Sequence, residues 1–188
     1  MPRAGLSRDA VVALAVELLD ADPHAPITLA AVASRAGVAV PSLYKHVRSL
    51  DELRDAVAVV GVTRLADAVA DAVAGASGRA AFRAAGRAIR AEARAHPGLY
   101  LASQPAPGRE ASAELLAAGE RAVALLAGVV RREGLPAARE VDAVRIARAA
   151  VHGFVLLEAA GGFGLPDDVD ASFDRLLDVV WAGFAELG

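Results

Sequence analysis

TLAAVASRAGVAVPSLYKHVR, residues 28–48, carries the reading of the fold. Leu29, Val32, Ala33 and Ala36 recur at i, i+3, i+4 and i+7, which lays an apolar stripe along one side of a helix. Thr28 stands where a hydroxyl can accept from the first free N–H groups of that helix, and Gly37 stands where a left-handed residue ends it. A second helix is expected to restart within a few residues, with Pro41 in its first turn, where no N–H donor is needed. Leu43 and Val47, four apart, are its buried anchors. Ser42, Tyr44, Lys45 and His46 then face away, at the spacing of a helix inserted into a DNA groove. This is the pattern of a helix-turn-helix, and it makes double-stranded DNA the first partner to consider.

Charge is distributed to match. The net charge of −3 argues against a nucleic-acid partner when taken alone. Yet residues 23–50 contain no Asp or Glu, while Arg35, Lys45, Arg48, His24 and His46 fall among them. Residues 1–50 hold five basic and four acidic groups, against fifteen and nineteen in residues 51–188. Positive potential is therefore expected around the second helix of the motif. Lys45 is the only lysine of the chain and, beside Tyr44 and His46, reads as a DNA contact.

Outward from the motif, a first helix is expected from after Ser7 to about Asp20, with Val11, Leu14, Ala15, Leu18 and Leu19 inward. Ser49-Leu50-Asp51-Glu52 is a capping box that opens a fourth helix, running to about Ala74. Further helices are expected over 79–95, a short turn at 99–103, then 110–133, 137–160 and 168–187, about nine helices in all. Loops are expected at 104–109, 134–136 and 161–166, where Gly and Pro cluster. Arg83, Arg87, Arg90 and Arg94 read as a solvated helix face rather than a phosphate site. The helix over 137–160 is apolar nearly all round after Val144, so part of it needs a partner chain. With the last helix, which carries Phe173, Leu177, Trp181 and Phe184, it is expected to form the four-helix interface of a homodimer.

The fold class is thus all-α: a three-helix helix-turn-helix head over 1–52 and a helical dimerisation bundle over 53–188, to which the resemblance given below adds ligand binding. Across 188 residues, 55% are hydrophobic but only 4% aromatic, a composition of Ala, Val and Leu that favours helices. The absence of Cys excludes disulfides, thiolate metal sites and thiol catalysis. No apolar run approaches the length of a membrane span, and Arg8 and Asp9 interrupt any secretory leader, so a cytoplasmic protein is expected. His24, His46, His96 and His152 offer no i, i+4 pair of metal-ligand type, and Asp167, Asp168, Asp170 and Asp174 read as acids at a helix start. No cofactor, metal or catalytic set is expected, and an enzyme is disfavoured. The rival reading is a helical dimeric ligand-binding module without DNA binding.

Thr28, Ala36-Gly37-Val38, Leu43-Tyr44-Lys45-His46-Val47 and the capped run from Ser49 to Leu53 resemble the TetR family of bacterial transcriptional regulators. Later echoes, His96-Pro97-Gly98-Leu99-Tyr100, Val151-His152-Gly153-Phe154 and Gly161-Gly162-Phe163-Gly164, resemble the subset of that family known for a Trp-His-Gly signature. Ala39 replaces a frequent serine cap, Leu50 a frequent phosphate-binding lysine, and Val151 the signature tryptophan. The resemblance implies a repressor that occupies a palindromic operator until a small-molecule effector binds its C-terminal half. By the same resemblance Thr28, Tyr44 and His46 would hold phosphates, and Val40 and Pro41 would meet a thymine methyl. Ser42 and Lys45 would reach base edges, with Arg48 replacing the missing lysine charge. Phe82, Tyr100, Gln104, His152, Phe154 and Glu158 are the candidate walls of the effector pocket.

Overall fold

A computed structural model describes residues 6–104, 110–131 and 135–187. Among these it contains nine α-helices and no strand. The expected loop at 104–109 lies outside the described residues beyond Gln104, as does Gly134 of the loop at 134–136. The chain packs into two compact units, neither of them one continuous segment: residues 1–63 with 96–119, and 64–95 with 120–188.

The first unit holds α1 (Arg8–Ala21), α2 (Leu29–Ala36), α3 (Val40–Leu43), the start of α4 (Leu50–Val73), α6 (Pro97–Ala102) and the start of α7 (Ala113–Val130). Local chemistry sets the starts of these helices. Ser7 Oγ accepts from the Ala10 N–H at 3.1 Å, and Ser49 Oγ accepts from the Glu52 N–H at 3.0 Å. The start of α7 is later than expected because Ser112 caps it, accepting from the Leu115 N–H, while its own N–H donates to Asp55 Oδ2 at 2.7 Å. Val11, Val12, Ala15, Leu19, Val32, Leu43, Val47, Leu53, Val57 and Leu99 form one core. A face of α1, the two anchors of the motif and the first turns of α4 therefore bury one another, which fixes the motif rigidly. At Gly61, a Cβ would lie 2.9 Å from the Ser103 Cβ, so α4 meets α6 at van der Waals distance through a missing side chain.

The second unit holds the end of α4, α5 (Gly78–Ala95), the end of α7, α8 (Glu140–Ala159) and α9 (Val169–Gly183). The first residues of the expected eighth helix, Ala137–Arg139, form a single 3-10 turn instead, and the last helix also ends in a 3-10 turn, Phe184–Leu187. Asp168 caps α9 by accepting from the N–H groups of Asp170 and Ala171. Phe82, Val151, Val155, Phe173, Leu177 and Phe184 are buried.

The arginines of α5 refine the sequence reading. Arg87 and Arg94 are 55% and 61% exposed at their side chains, as a solvated face would be, but each also faces a carboxylate, and Arg83 and Arg90 are largely covered. Arg79 and Arg83 bind Asp178, Arg83 and Arg87 bind Asp174, and Arg90 binds both Glu158 and Asp170. Arginines spaced three or four apart on α5 meet aspartates spaced four apart on α9, so the two helices are laced along their length. Asp170 and Asp174 thus serve as counter-ions as well as acids near a helix start. Arg90 is only 8% exposed, with its guanidinium carbon 4.8 Å from the Phe173 ring centre and 5.6 Å from that of Phe154.

Candidate nucleic-acid interface

The geometry of residues 28–48 follows from their caps. Thr28 Oγ1 accepts from the Ala31 N–H at 3.1 Å and starts α2. Gly37 ends α2 with φ of 68°, a conformation that glycine adopts without the penalty a Cβ brings. There the Val38 N–H reaches back to the Ala33 carbonyl at 3.0 Å and the chain reverses into the next helix. Ala39 occupies the cap of α3 and supplies no side-chain hydrogen bond. Without a side-chain cap, α3 is one turn long, shorter than the sequence led us to expect. The chain continues as a tight turn through Tyr44–His46, with both the His46 and Val47 N–H groups donating to the Leu43 carbonyl.

Leu43 and Val47 are fully buried, and the segment between them stands out from the core they anchor. Tyr44 is 53% exposed although it is a large aromatic. Pro41 and Lys45 are exposed, Ser42 and His46 half-buried, and Val40 packs partly against the core. Arg48, 90% exposed at its side chain, stands just beyond the ridge. The eight candidate DNA contacts therefore share the helix-turn-helix segment and the start of α2, with the exposed ones gathered at residues 41–48.

One neighbour was not anticipated. The Glu52 carboxylate, expected to close the capping box on the Ser49 N–H, accepts instead from the Arg48 N–H at 2.8 Å and from Arg48 Nε at 2.9 Å. These bonds hold the Glu52 carboxyl below the usual carboxylate range, so it is ionised at neutral pH. The i, i+4 spacing of Arg48 and Glu52 is the signal that could have revealed it.

The six candidate pocket residues are shared between the two units. Tyr100 and Gln104 belong to the first unit, where Gln104 Nε2 donates to the Tyr100 carbonyl at 3.1 Å. Gln104 also lines a cleft of about 330 Å³ within that unit, with Leu19, Ile27, Arg54 and Leu101. Phe82, His152, Phe154 and Glu158 belong to the second unit. There Phe82 stacks with Trp181 and Phe184, at ring separations of 5.5 and 5.4 Å. Phe154 packs 4.6 Å from Phe163, and Glu158 is held by Arg90, whose hydrogen bond keeps its carboxyl below the usual range against the opposing effect of burial. Burial, reinforced by the Arg148 charge, pushes the His152 imidazole down. Among the described residues no cluster of His, Asp or Glu has the makings of a metal site, and no helix is long and apolar enough to cross a membrane.

Comparison with known proteins accounts for both units. Residues 82–180 match the family model described as the tetracyclin repressor-like C-terminal domain. An HTH-type transcriptional regulator of Mycobacterium tuberculosis is 34% identical over 167 residues, covering 89% of this chain and 75% of that protein. Among solved structures, a protein of unknown function from Rhodococcus sp. RHA1 is 29% identical, with a TM-score of 0.80 and 98% of each chain covered. A variant of TetR from Acinetobacter baumannii AYE, solved in complex with minocycline, is 26% identical, with a TM-score of 0.70, covering 97% of this chain and 98% of that one. The chain belongs to the TetR family: it is a ligand-responsive, DNA-binding transcriptional regulator and not an enzyme.

Proposed function

We propose that this regulator occupies a palindromic operator as a homodimer and is released when a small-molecule effector binds its C-terminal half. The observation that carries the reading is the ridge Tyr44-Lys45-His46, exposed at Tyr44 and Lys45 and half-buried at His46, held between two fully buried anchors, Leu43 and Val47. A large aromatic and the single lysine of the chain, offered to solvent on a rigid turn, suit phosphate and base contacts better than any role in packing. On this reading Thr28, Tyr44 and His46 take phosphates, and Ser42 and Lys45 take base edges. Val40 and Pro41 meet a thymine methyl, and Arg48 adds charge at the rim.

The dimer would form through α8 and α9. Val141, Leu156 and Leu157 on α8 and Val179 on α9 are exposed apolar side chains, and a second copy would cover them in a four-helix contact. Two heads then face two half-sites. The effector would be read by residues within the matched C-terminal region, with Phe82, His152, Phe154 and Glu158 as candidate contacts in the second unit and Tyr100 and Gln104 in the first. Release requires an effector that binds more tightly to the form whose heads do not fit both half-sites. The domain division at residue 52 becomes, on this view, a functional one: the head binds DNA and α4, which runs from Leu50 to Val73, carries the signal.

The test is footprinting of the purified protein on the DNA upstream of its own gene, at several salt concentrations. Protection of a two-fold symmetric site, weakening steeply with salt, is the expected result. Saturable binding of small molecules with no protected site at any salt concentration would replace this reading with a ligand-binding module that does not bind DNA.

A further inference from the structure

The first unit, which contains the head, pairs its own arginines with carboxylates. Arg35 pairs with Glu17 at 3.0 Å, Arg54 with Asp51 at 3.2 Å, and Arg48 with Glu52 at 2.9 Å. Arg8 lies 3.1 Å from Glu114 and 4.0 Å from Glu52. Among the described residues of the head, Lys45 is the cation that meets no carboxylate. For a face that must approach a polyanion this is an unexpected arrangement. Sequence-independent DNA binding is electrostatic and grows with each cation free to displace a counter-ion from the phosphates. An arginine that must first leave a carboxylate contributes less to that grip than a free one.

Glu52 is the member of this set at the DNA-facing ridge. It lies in the first turn of α4, and one of its oxygens accepts both the backbone N–H and the Nε–H of Arg48. Its second oxygen is the one nearest Arg8. The Arg48 side chain is nonetheless 90% exposed, against 22% for Glu52, so the arginine lies in water over a partly covered carboxylate. We propose that Glu52 restrains the sequence-independent DNA binding of this face by tying down Arg48 and cancelling its charge. The inference rests on residues 40–48 being the DNA-binding face.

The consequence is a division of labour. Ser42 and Lys45, which do not touch Glu52, keep whatever base preference the ridge has. Arg48 adds to phosphate affinity only to the extent that it leaves Glu52. The carboxylate lowers the electrostatic part of the affinity for every duplex alike, so it sets how tightly the head holds DNA and leaves base preference to Ser42 and Lys45.

The experiment is a salt titration of wild type, Glu52→Gln and Arg48→Gln/Glu52→Gln on a mixed-sequence duplex of about 40 base pairs, with thermal melting alongside. Glutamine keeps an oxygen that accepts from the Arg48 N–H, so the start of α4 persists while the charge is gone. Glu52→Gln should bind the mixed duplex roughly three- to tenfold more tightly at low salt, with a salt slope steeper by about one per subunit. The double variant should lose that gain, because Arg48 delivers it. Wild-type binding with no change in affinity or slope for Glu52→Gln would overturn the inference alone, as would a gain that survives in the double variant. Failure of the wild-type protein to bind any duplex at low salt would overturn the DNA reading and this inference with it.

Discussion

Gly98 lies against the carbonyl oxygen of Leu19, so closely that a Cβ at Gly98 would stand 2.5 Å from that oxygen and 2.9 Å from the Pro23 Cα. The contact joins α6 to the end of α1, and both obstructing atoms are backbone, so neither can swing aside. On the same two helices the His96 ring lies 3.0 Å from Asp20 Oδ1. A missing side chain and a polar contact thus dock α6 onto the head's first helix.

Gly98→Ala should therefore destabilise the protein by about 1–3 kcal/mol, the usual cost of overpacking a close contact. Gly119→Ala is the control: nothing lies within 4 Å of its Cβ position in α7, and alanine there should be neutral or stabilising by up to about 1 kcal/mol. Thermal or denaturant unfolding of the two variants decides it. Equal stabilities would mean that α6 can shift away from Leu19 at no cost.

The ion pairs that α5 makes with α8 and α9 lead to a prediction about acid. Hydrogen bonds from Arg90, Arg87 and Arg79 hold the carboxyls of Glu158, Asp174 and Asp178, respectively, below their ordinary values. Groups whose folded pKa is depressed contribute stability that is fully present above about pH 4.5 and is lost as pH falls through the lowered values. Arg90→Met keeps an apolar stem between Phe154 and Phe173 but abandons Glu158, and should cost about 1–3 kcal/mol at neutral pH. Its stability should also fall less steeply on acidification than that of the wild type. Unfolding curves at pH 7 and pH 4 test this, and parallel losses in both proteins would detach these ion pairs from stability.

The difference between the head and these ion pairs explains what could be read in advance. Ser7, Thr28, Gly37 and Ser49 act on neighbours within five residues, so their roles in starting and ending helices are visible in the chain itself. Leu43 and Val47 are legible for the same reason, since two anchors four apart need only one buried side. An arginine at 83 or 87 looks the same in sequence whether it faces water or an aspartate on a helix some ninety residues later. Only the pairing of the two periodicities, on α5 and α9, distinguishes the cases.

Tyr44→Ala and Lys45→Ala remove side chains that touch solvent, not core. Each should leave thermal stability within about 0.5 kcal/mol of wild type, as exposed substitutions do. Operator affinity should fall by about 1–3 kcal/mol for a lost base contact. Loss of Lys45 should in addition reduce the salt slope by about one per subunit if it reaches a phosphate, and relax base preference at one position of each half-site if it reaches a base edge. Calorimetric melting and gel-shift titrations on the footprinted site separate these effects. A large drop in melting temperature for either variant would place the side chain in the interior and remove the ridge.

Val179 is 70% exposed and Leu157 54% exposed, on α9 and α8 respectively, and each is a branched apolar side chain in open water within a single subunit. In a monomer, aspartate at either position would be nearly neutral for folding. In the proposed dimer it would bury an unpaired charge among apolar neighbours, a large penalty. Val179→Asp and Leu157→Asp should therefore sediment as folded monomers with native helical circular dichroism, and should lose cooperative occupation of the two half-sites. Trp181→Asp is the contrasting case: Trp181 stacks with Phe82 and Phe184 inside the subunit, so its loss should melt the bundle itself. If Val179→Asp and Leu157→Asp both remain dimeric, the subunits meet through some other face, and the spacing of the two heads must be set elsewhere.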